Sequence, residues 1–193
     1  LHERHAGVPP GSCVGANMGP APPTFASMFR HLLVPTDGSD LADGTIRRAV
    51  SFASEAGARI TFVHARESFL VRPEAGLYGE ALALDPAVAD QFSRAEQDYT
   101  VSVLARARAV AEEAGVPCST VAAANPVIHE AILETAAAEG CDLIFMASHG
   151  RRGLAGLLLG SETQRVLLHS SLPVLVYRKG DQSPGAGQVA GRA

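Results

Sequence analysis

Short apolar runs alternate along the chain with longer stretches in which apolar residues recur every three or four positions. Residues 31–34 form the first run, and Pro35 stops it, which reads as strand one. Ser39 or Asp40 then stands where a helix is capped. Ile46, Ala49, Val50 and Ala53 follow at helical spacing up to Gly57. Residues 59–64, rich in β-branched side chains, predict strand two. A connection containing Pro and Gly leads to a long helix expected over residues 87–114. Phe92, Ala95, Tyr99 and Val103 share one side of it and read as a core stripe, with Gly115 closing the helix. Residues 116–122 predict strand three. Pro126 sits where a first helical turn accepts proline, and that helix runs to Gly140. Residues 142–147 are nearly all apolar and predict a fourth strand buried on both faces. Ser161 and Gln164 have the spacing of a capping box, which starts the last helix. Residues 173–177 predict strand five.

Strands alternating with helices imply parallel pairing through right-handed crossovers. The expected architecture is an α/β fold with a doubly wound parallel sheet and helices on both faces. Such sheets bind ligands at the carboxyl ends of their strands, where the strand order reverses. With strands one and four flanking that reversal, two loops converge there, residues 35–39 and residues 147–161.

Composition narrows the picture. A chain of 193 residues suggests one domain, and 47% hydrophobic residues suit a covered sheet. No apolar run reaches the length of about 18 residues needed to span a membrane. The net charge of −4 argues against general nucleic-acid binding. Locally the balance reverses. Arg151, Arg152, Arg165, Arg178 and Lys179 face one acid, Glu162, between positions 148 and 179. The excess surrounds a glycine-bearing loop, which fits an anionic small molecule or a plain solvated basic face. Three cysteines (Cys13, Cys118 and Cys141) give no disulfide framework and no Cys-x-x-Cys pair, so a reducing cytosol is the simplest setting. Residues 1–27, rich in Gly, Pro and Ala, are expected to be a disordered leader or extension, with Met28 a natural start. Residues 28–179 would form the domain and residues 180–193 a flexible tail.

The long loop is the densest source of chemistry. An apolar strand is followed by glycines, and a second small-residue turn opens a helix, so backbone N–H groups are aimed at an anion. Lys179 is the only lysine, so no lysine lies in that loop to bind phosphate. Close approach at Gly160 is eased by the absent Cβ. Ser161 is an N-cap, a phosphate ligand, or both. Glu162 suits a first helical turn but repels phosphate, so it is expected to point away. His149 reads as a loop residue with a backbone partner rather than a base. Arg151 and Arg152 are phosphate clamps or solvent charges. Asp37 contacts a ligand, helps hold Mg²⁺, or simply forms the turn after Pro35. His64 reads as a buried, hydrogen-bonded histidine. His129 and His169 lie on helices without a metal partner at i, i+4.

Three signatures stand out: Leu33-Val-Pro-Thr-Asp37-Gly-Ser39, Val63-His64, and Ala147-x2-Gly150-x9-Gly160-Ser161. Together they resemble the universal stress proteins over residues 28–178. The last is similar to the Gly-x2-Gly-x9-Gly-Ser/Thr of the ATP-binding branch, with Ala147 in place of the first glycine. A position demanding positive φ would cost alanine roughly 1–2 kcal/mol, whereas one needing only a small side chain would accept it. The resemblance implies the strand order 3-2-1-4-5, with ATP or ADP, with or without Mg²⁺, across strands one and four. Pro35, Thr36 and Asp37 would line the adenine and ribose end, and Ala65, just past strand two, would offer main-chain contacts to adenine. Met146, Ala147, His149, Gly150 and Arg151 would run along the ribose and phosphates. Gly160, Ser161, Glu162 and Thr163 would hold the phosphates. It also implies a homodimer through strand five (Val174, Leu175, Val176), cytoplasmic, with unidentified protein partners. That reading is a nucleotide sensor with at most slow hydrolysis, because no committed base or nucleophile is evident. Two alternatives stand beside it. One is a dimeric interaction protein of the same fold without nucleotide. The other is an adenylating enzyme, although Thr36-Asp-Gly-Ser-Asp40 lacks the paired glycines of a Ser-Gly-Gly-x-Asp-Ser loop.

Overall fold

The computed structural model describes residues 28–66, 86–149 and 159–178. The expectations for residues 1–27 and 180–193 lie outside the described residues. Strand β1 (His31–Pro35) leads to helix α1 (Asp40–Ala56), then β2 (Arg59–Arg66) and α2 (Pro86–Glu113). There follow β3 (Cys118–Ala124), α3 (Ile128–Ala138), β4 (Leu143–Ala147), α4 (Ser161–His169) and β5 (Val174–Tyr177). All four strand pairs are parallel, and the order is β3-β2-β1-β4-β5. The doubly wound sheet is therefore the expected one.

Period-two alternation along the strands builds two cores. Leu32 and Val34, Ile60 and Phe62, and Leu143 and Phe145 face α1 and α2, meeting Ile46, Ala49, Val50, Ala53 and Leu104. Leu33, Val63, Ile144 and Met146 face the other way, onto Ile132 and Ala136 of α3 and Val166 of α4. Burial of a side chain such as Phe62 contributes about 1.5–3 kcal/mol. β4 is buried on both faces, as its unbroken apolar run implied.

Several boundaries move, each for a local reason. Ser39 caps α1, its hydroxyl accepting from Ala42 N at 3.2 Å. β2 runs two residues further than expected, so Ala65 lies inside the strand, opposite Ala123. β3 starts at Cys118 rather than Val116, because Pro117 has no N–H to give and its carbonyl accepts from Ile60. Pro126 does not enter α3. Asn125 Oδ1 instead accepts from Val127 N at 2.8 Å, a turn that sets the helix start at Ile128. Asp142 stays out of β4 and accepts from Arg30 N and His31 N, tying down the start of β1. The expected core stripe on α2 is not one. Phe92 is 58% and Tyr99 38% exposed, Ala95 is exposed, and only Val103 of the four is buried. Among the described side chains of α2, the first buried one is Thr100.

A polar chain crosses the α3 side of the sheet. His31 Nε2 meets Thr61 Oγ1 at 2.8 Å, and Thr61 meets Ser119 Oγ at 2.8 Å. Burial, helped by Arg59, lowers the His31 pKa. Nearby, burial pushes the Cys141 thiol up to about 11. Among the described residues no helix is long and apolar enough to cross a membrane.

Candidate functional site

β1 and β4 are neighbours from which the chain departs in opposite directions across the sheet. Their following turns therefore start on adjacent strands, about 4.8 Å apart in a sheet. This is the reversal point where open parallel sheets bind ligands.

The β1–α1 turn is held from three sides. Thr36 is buried, donates from N to Val63 O at 2.9 Å, and its carbonyl lies 2.8 Å from His64 Nδ1. His64 is thus the buried, hydrogen-bonded residue expected of it. Asp37 Oδ1 accepts from Ser39 N at 3.0 Å, so the carboxylate builds the turn. Gly38 has φ +76°, and a Cβ there would fall 2.5 Å from Tyr99 Oη and 2.6 Å from Val103 Cγ2. Glycine is required on both counts. Tyr99 Oη donates to Asp37 O at 2.9 Å, and Arg106 donates to Gly38 O at 3.4 Å. Neither α2 residue was singled out for this turn from sequence.

β2 supplies a further edge. Arg59 N bonds Arg30 O and Val63 O accepts from Thr36 N, so odd-numbered residues of β2 turn their main chain toward β1. β1 ends at Pro35, opposite Val63. The N–H and C=O of Ala65 therefore face the mouth beyond the end of β1, and no described hydrogen bond joins them to the β1–α1 turn.

On the other strand, Ser148 is only 2% exposed, donates from N to Tyr177 O at 2.8 Å and accepts from Gly160 N at 2.8 Å. Thr163 Oγ1 donates to Ala147 O at 3.1 Å, and Gln164 Nε2 to Leu159 O at 2.7 Å. These bonds close the ends of the loop on each other. Gly150 and Arg151, with the rest of residues 150–158, lie outside the described residues. Ala147 has no positive φ, so alanine carries no backbone strain there. Gly160, not Ser161, is the N-cap, and it makes no side-chain bond. The capping-box reading fails because Gln164 turns back to Leu159. A Cβ on Gly160 would sit 3.0 Å from His149 Cα, so glycine serves the loop's own closure. Its amide is likewise spent on Ser148. The first intrahelical bond is Gln164 N to Gly160 O, which leaves the amides of Ser161, Glu162 and Thr163 without a described acceptor. These three donors stand at the positive end of α4.

His149 Nδ1 meets the Ser148 hydroxyl at 2.9 Å rather than a backbone group. The Glu162 carboxylate is engaged by Arg165 and lies 3.7 Å from His129 Nδ1, so it is turned toward α3. His129 in turn stacks on His169, ring centres 5.4 Å apart. Among the described residues no group of three or more His, Cys, Asp or Glu side chains is placed to hold a metal ion. Two surface cavities lie away from this mouth. One is a groove of about 420 Å³ between α1 and α2, lined by Arg47, Ser51 and Glu113 among others. The other, about 150 Å³, is lined by Leu133, Cys141 and His169.

Fold and site together define a doubly wound α/β protein whose switch point holds helix-start amides with no acceptor among the described residues. Residues 28–178 match the universal stress protein family, and the chain belongs to it. A universal stress protein encoded in the QAH/OAS sulfhydrylase 3′ region of Thermus aquaticus is 34% identical over 151 residues, 78% of this chain and 100% of that protein. YxiE of Bacillus subtilis is 31% identical over the same length, with the same coverage. A solved universal stress protein in complex with cAMP superposes with a TM-score of 0.56 at 23% identity, covering 79% of this chain and 99% of that one. The Archaeoglobus fulgidus protein in complex with dAMP does so with a TM-score of 0.50 at 17% identity, covering 76% and 96%. The fold is thus one that carries small nucleotides in other proteins.

Proposed function

We propose that this chain binds an adenine nucleotide, ATP or ADP, across β1 and β4 and acts as a nucleotide-sensing homodimer of the cytosol. The observation that carries the reading is the trio of helix-start amides at Ser161, Glu162 and Thr163, which have no acceptor among the described residues, close to the turn that ends the neighbouring strand. An anion at such a helix start gains about 0.3–1 kcal/mol from the dipole when exposed. The Ser161 hydroxyl, exposed in the first turn, adds a donor. Pro35, Thr36 and Asp37 would line the nucleoside end, and the Ala65 main chain offers a donor and an acceptor suited to a base edge. Met146, Ala147 and His149 would flank the ribose and phosphates, with Gly150 and Arg151 beyond them. Gly160 contributes by closing the loop rather than by its amide. Mg²⁺, where it takes part, would come with the phosphates. The cAMP and dAMP complexes of relatives support nucleotide binding by this fold. Turnover should be slow, because the Ser148 hydroxyl, though paired with His149, belongs to a residue only 2% exposed.

For the dimer, β5 is an edge strand whose Val174, Leu175 and Val176 are half-buried. Pairing with a second copy would cover an edge that otherwise invites aggregation. A second reading has its own support. Gly160 is explained by contact with His149 alone, as a nucleotide-independent dimeric interaction protein would require. Native mass spectrometry of freshly purified protein, with melting curves at millimolar ATP and Mg²⁺, separates the two. Co-purified adenine nucleotide or a raised Tm supports the sensor. A bare dimer with an unchanged Tm contradicts it.

A further inference from the structure

We infer that Tyr99 and Arg106 of α2 are positioning residues for nucleotide binding, fixing the main chain of residues 37–38 so that the turn receives the nucleoside end of the ligand. This rests on the functional reading above. Tyr99 is 38% exposed, so apolar burial gives little reason for an aromatic there. Its hydroxyl reaches Asp37 O at 2.9 Å, and its ring meets His64 edge-on with centres 5.8 Å apart. His64 holds the preceding carbonyl, Thr36 O, at 2.8 Å. Arg106 takes the following one, Gly38 O, at 3.4 Å, while its guanidinium lies 3.8 Å from the Asp43 carboxylate on α1. Three successive carbonyls are thus each claimed by a donor or a histidine from β2 or α2. Gly38 shows how close the approach is, since any side chain there would overlap Tyr99 and Val103.

The consequence is steric. A carbonyl drawn to α2 does not turn into the mouth between β1 and β4, where the nucleoside would lie. A turn with a free peptide at 37–38 samples that orientation, and part of the binding energy then goes into ordering it. The effect belongs to the nucleoside end, because the phosphate donors sit on α4.

Calorimetric titration of Tyr99→Phe with Mg-ATP and with inorganic tripolyphosphate tests this, alongside amide exchange of the ligand-free protein. Loss of one hydrogen bond predicts ATP affinity weaker by about fivefold, with tripolyphosphate affinity unchanged. Exchange at Gly38 and Ser39 should quicken. Tyr99→Phe combined with Arg106→Ala should weaken ATP by about twentyfold. If that double variant does not fold, the single one decides. Arg108→Ala, which removes an α2 bond to Thr120 away from the turn, is the control and should bind as wild type. ATP affinity of Tyr99→Phe within twofold of wild type overturns the inference. So does an equal loss for tripolyphosphate, which would mean general loosening. Wild-type protein that binds no ATP overturns the functional reading itself, and the inference with it.

Discussion

Replacing Gly160 with alanine tests how the long loop closes. The added Cβ meets His149 Cα at 3.0 Å, His149 Cβ at 3.2 Å and Ser148 O at 3.5 Å. The first two contacts are too close for an unmoved turn, and one of them is main chain. Gly160 has φ −60°, so alanine brings no dihedral strain. As an N-cap alanine is worse than glycine by about 0.5 kcal/mol or more. Reduced freedom of the unfolded chain returns about 0.4–1 kcal/mol. These two nearly cancel, which leaves the overlap, about 1–3 kcal/mol for a forced shift in a packed site. A middle value of about 2 kcal/mol lowers Tm by about 4–8 °C in a domain of this size. The shift also carries the amides of Ser161 and Glu162, so ATP affinity should fall about tenfold for each 1.4 kcal/mol lost at the site. Differential scanning calorimetry and titration calorimetry read both effects. Gly44→Ala is the contrast. Its Cβ meets nothing within 4 Å inside α1, so it should stabilise by about 0.5–1 kcal/mol. A Gly160→Ala protein with wild-type Tm and wild-type ATP affinity refutes the packing argument.

Three other expectations follow from single features. Burial lowers the His31 pKa below its ordinary 6.5. As pH falls below about 6.5 the unfolded chain takes up that proton before the folded one does, so stability is full at neutral pH and drops on acidification. Tm should fall between pH 7.5 and 5.5, and less steeply in His31→Gln; identical slopes would contradict the assignment. The Cys141 thiol, pushed up to about 11 by burial, should resist a thiol reagent at pH 8 until the protein unfolds, and rapid native labelling of Cys141 would contradict this. On β5, the Pro173 and Tyr177 carbonyls accept from Ile144 and Ser148, so the main chain of Val174 and Val176 faces the free edge. Val176→Pro removes an edge donor and no β4 bond, and light scattering should show a dimer become a folded monomer. An unchanged dimer would place the contact elsewhere.

Strand and helix alternation was legible because β1, β2, β4 and β5 are dense in apolar residues and α1 repeats at 3.6. The reversal point followed from that alternation together with the family likeness. What the pattern hid were choices made between distant residues. Phe92, Ala95 and Tyr99 have the spacing of a buried stripe, and nothing local reveals that all three are exposed. Tyr99 hydrogen-bonds a carbonyl 62 positions away, a contact that no helical period encodes. Ser161 has the spacing of a cap because Gln164 sits three residues on, yet Gly160 is the N-cap and Gln164 bonds Leu159 O. Asp37 was open between ligand and turn; its bond to Ser39 N shows the turn role. The sequence around Gly160 suggests room for phosphate, whereas the contact that glycine relieves is with His149.

The most direct test is a ¹H–¹⁵N titration of the full chain with Mg-ATP. With ATP, the amides of Ser161, Glu162 and Thr163 should shift together with those of Ala65 and residues 36–39, while AMP should move chiefly the second set. Saturating ATP that leaves the first turn of α4 unmoved, or that perturbs only the groove around Arg47 and Ser51, would contradict this.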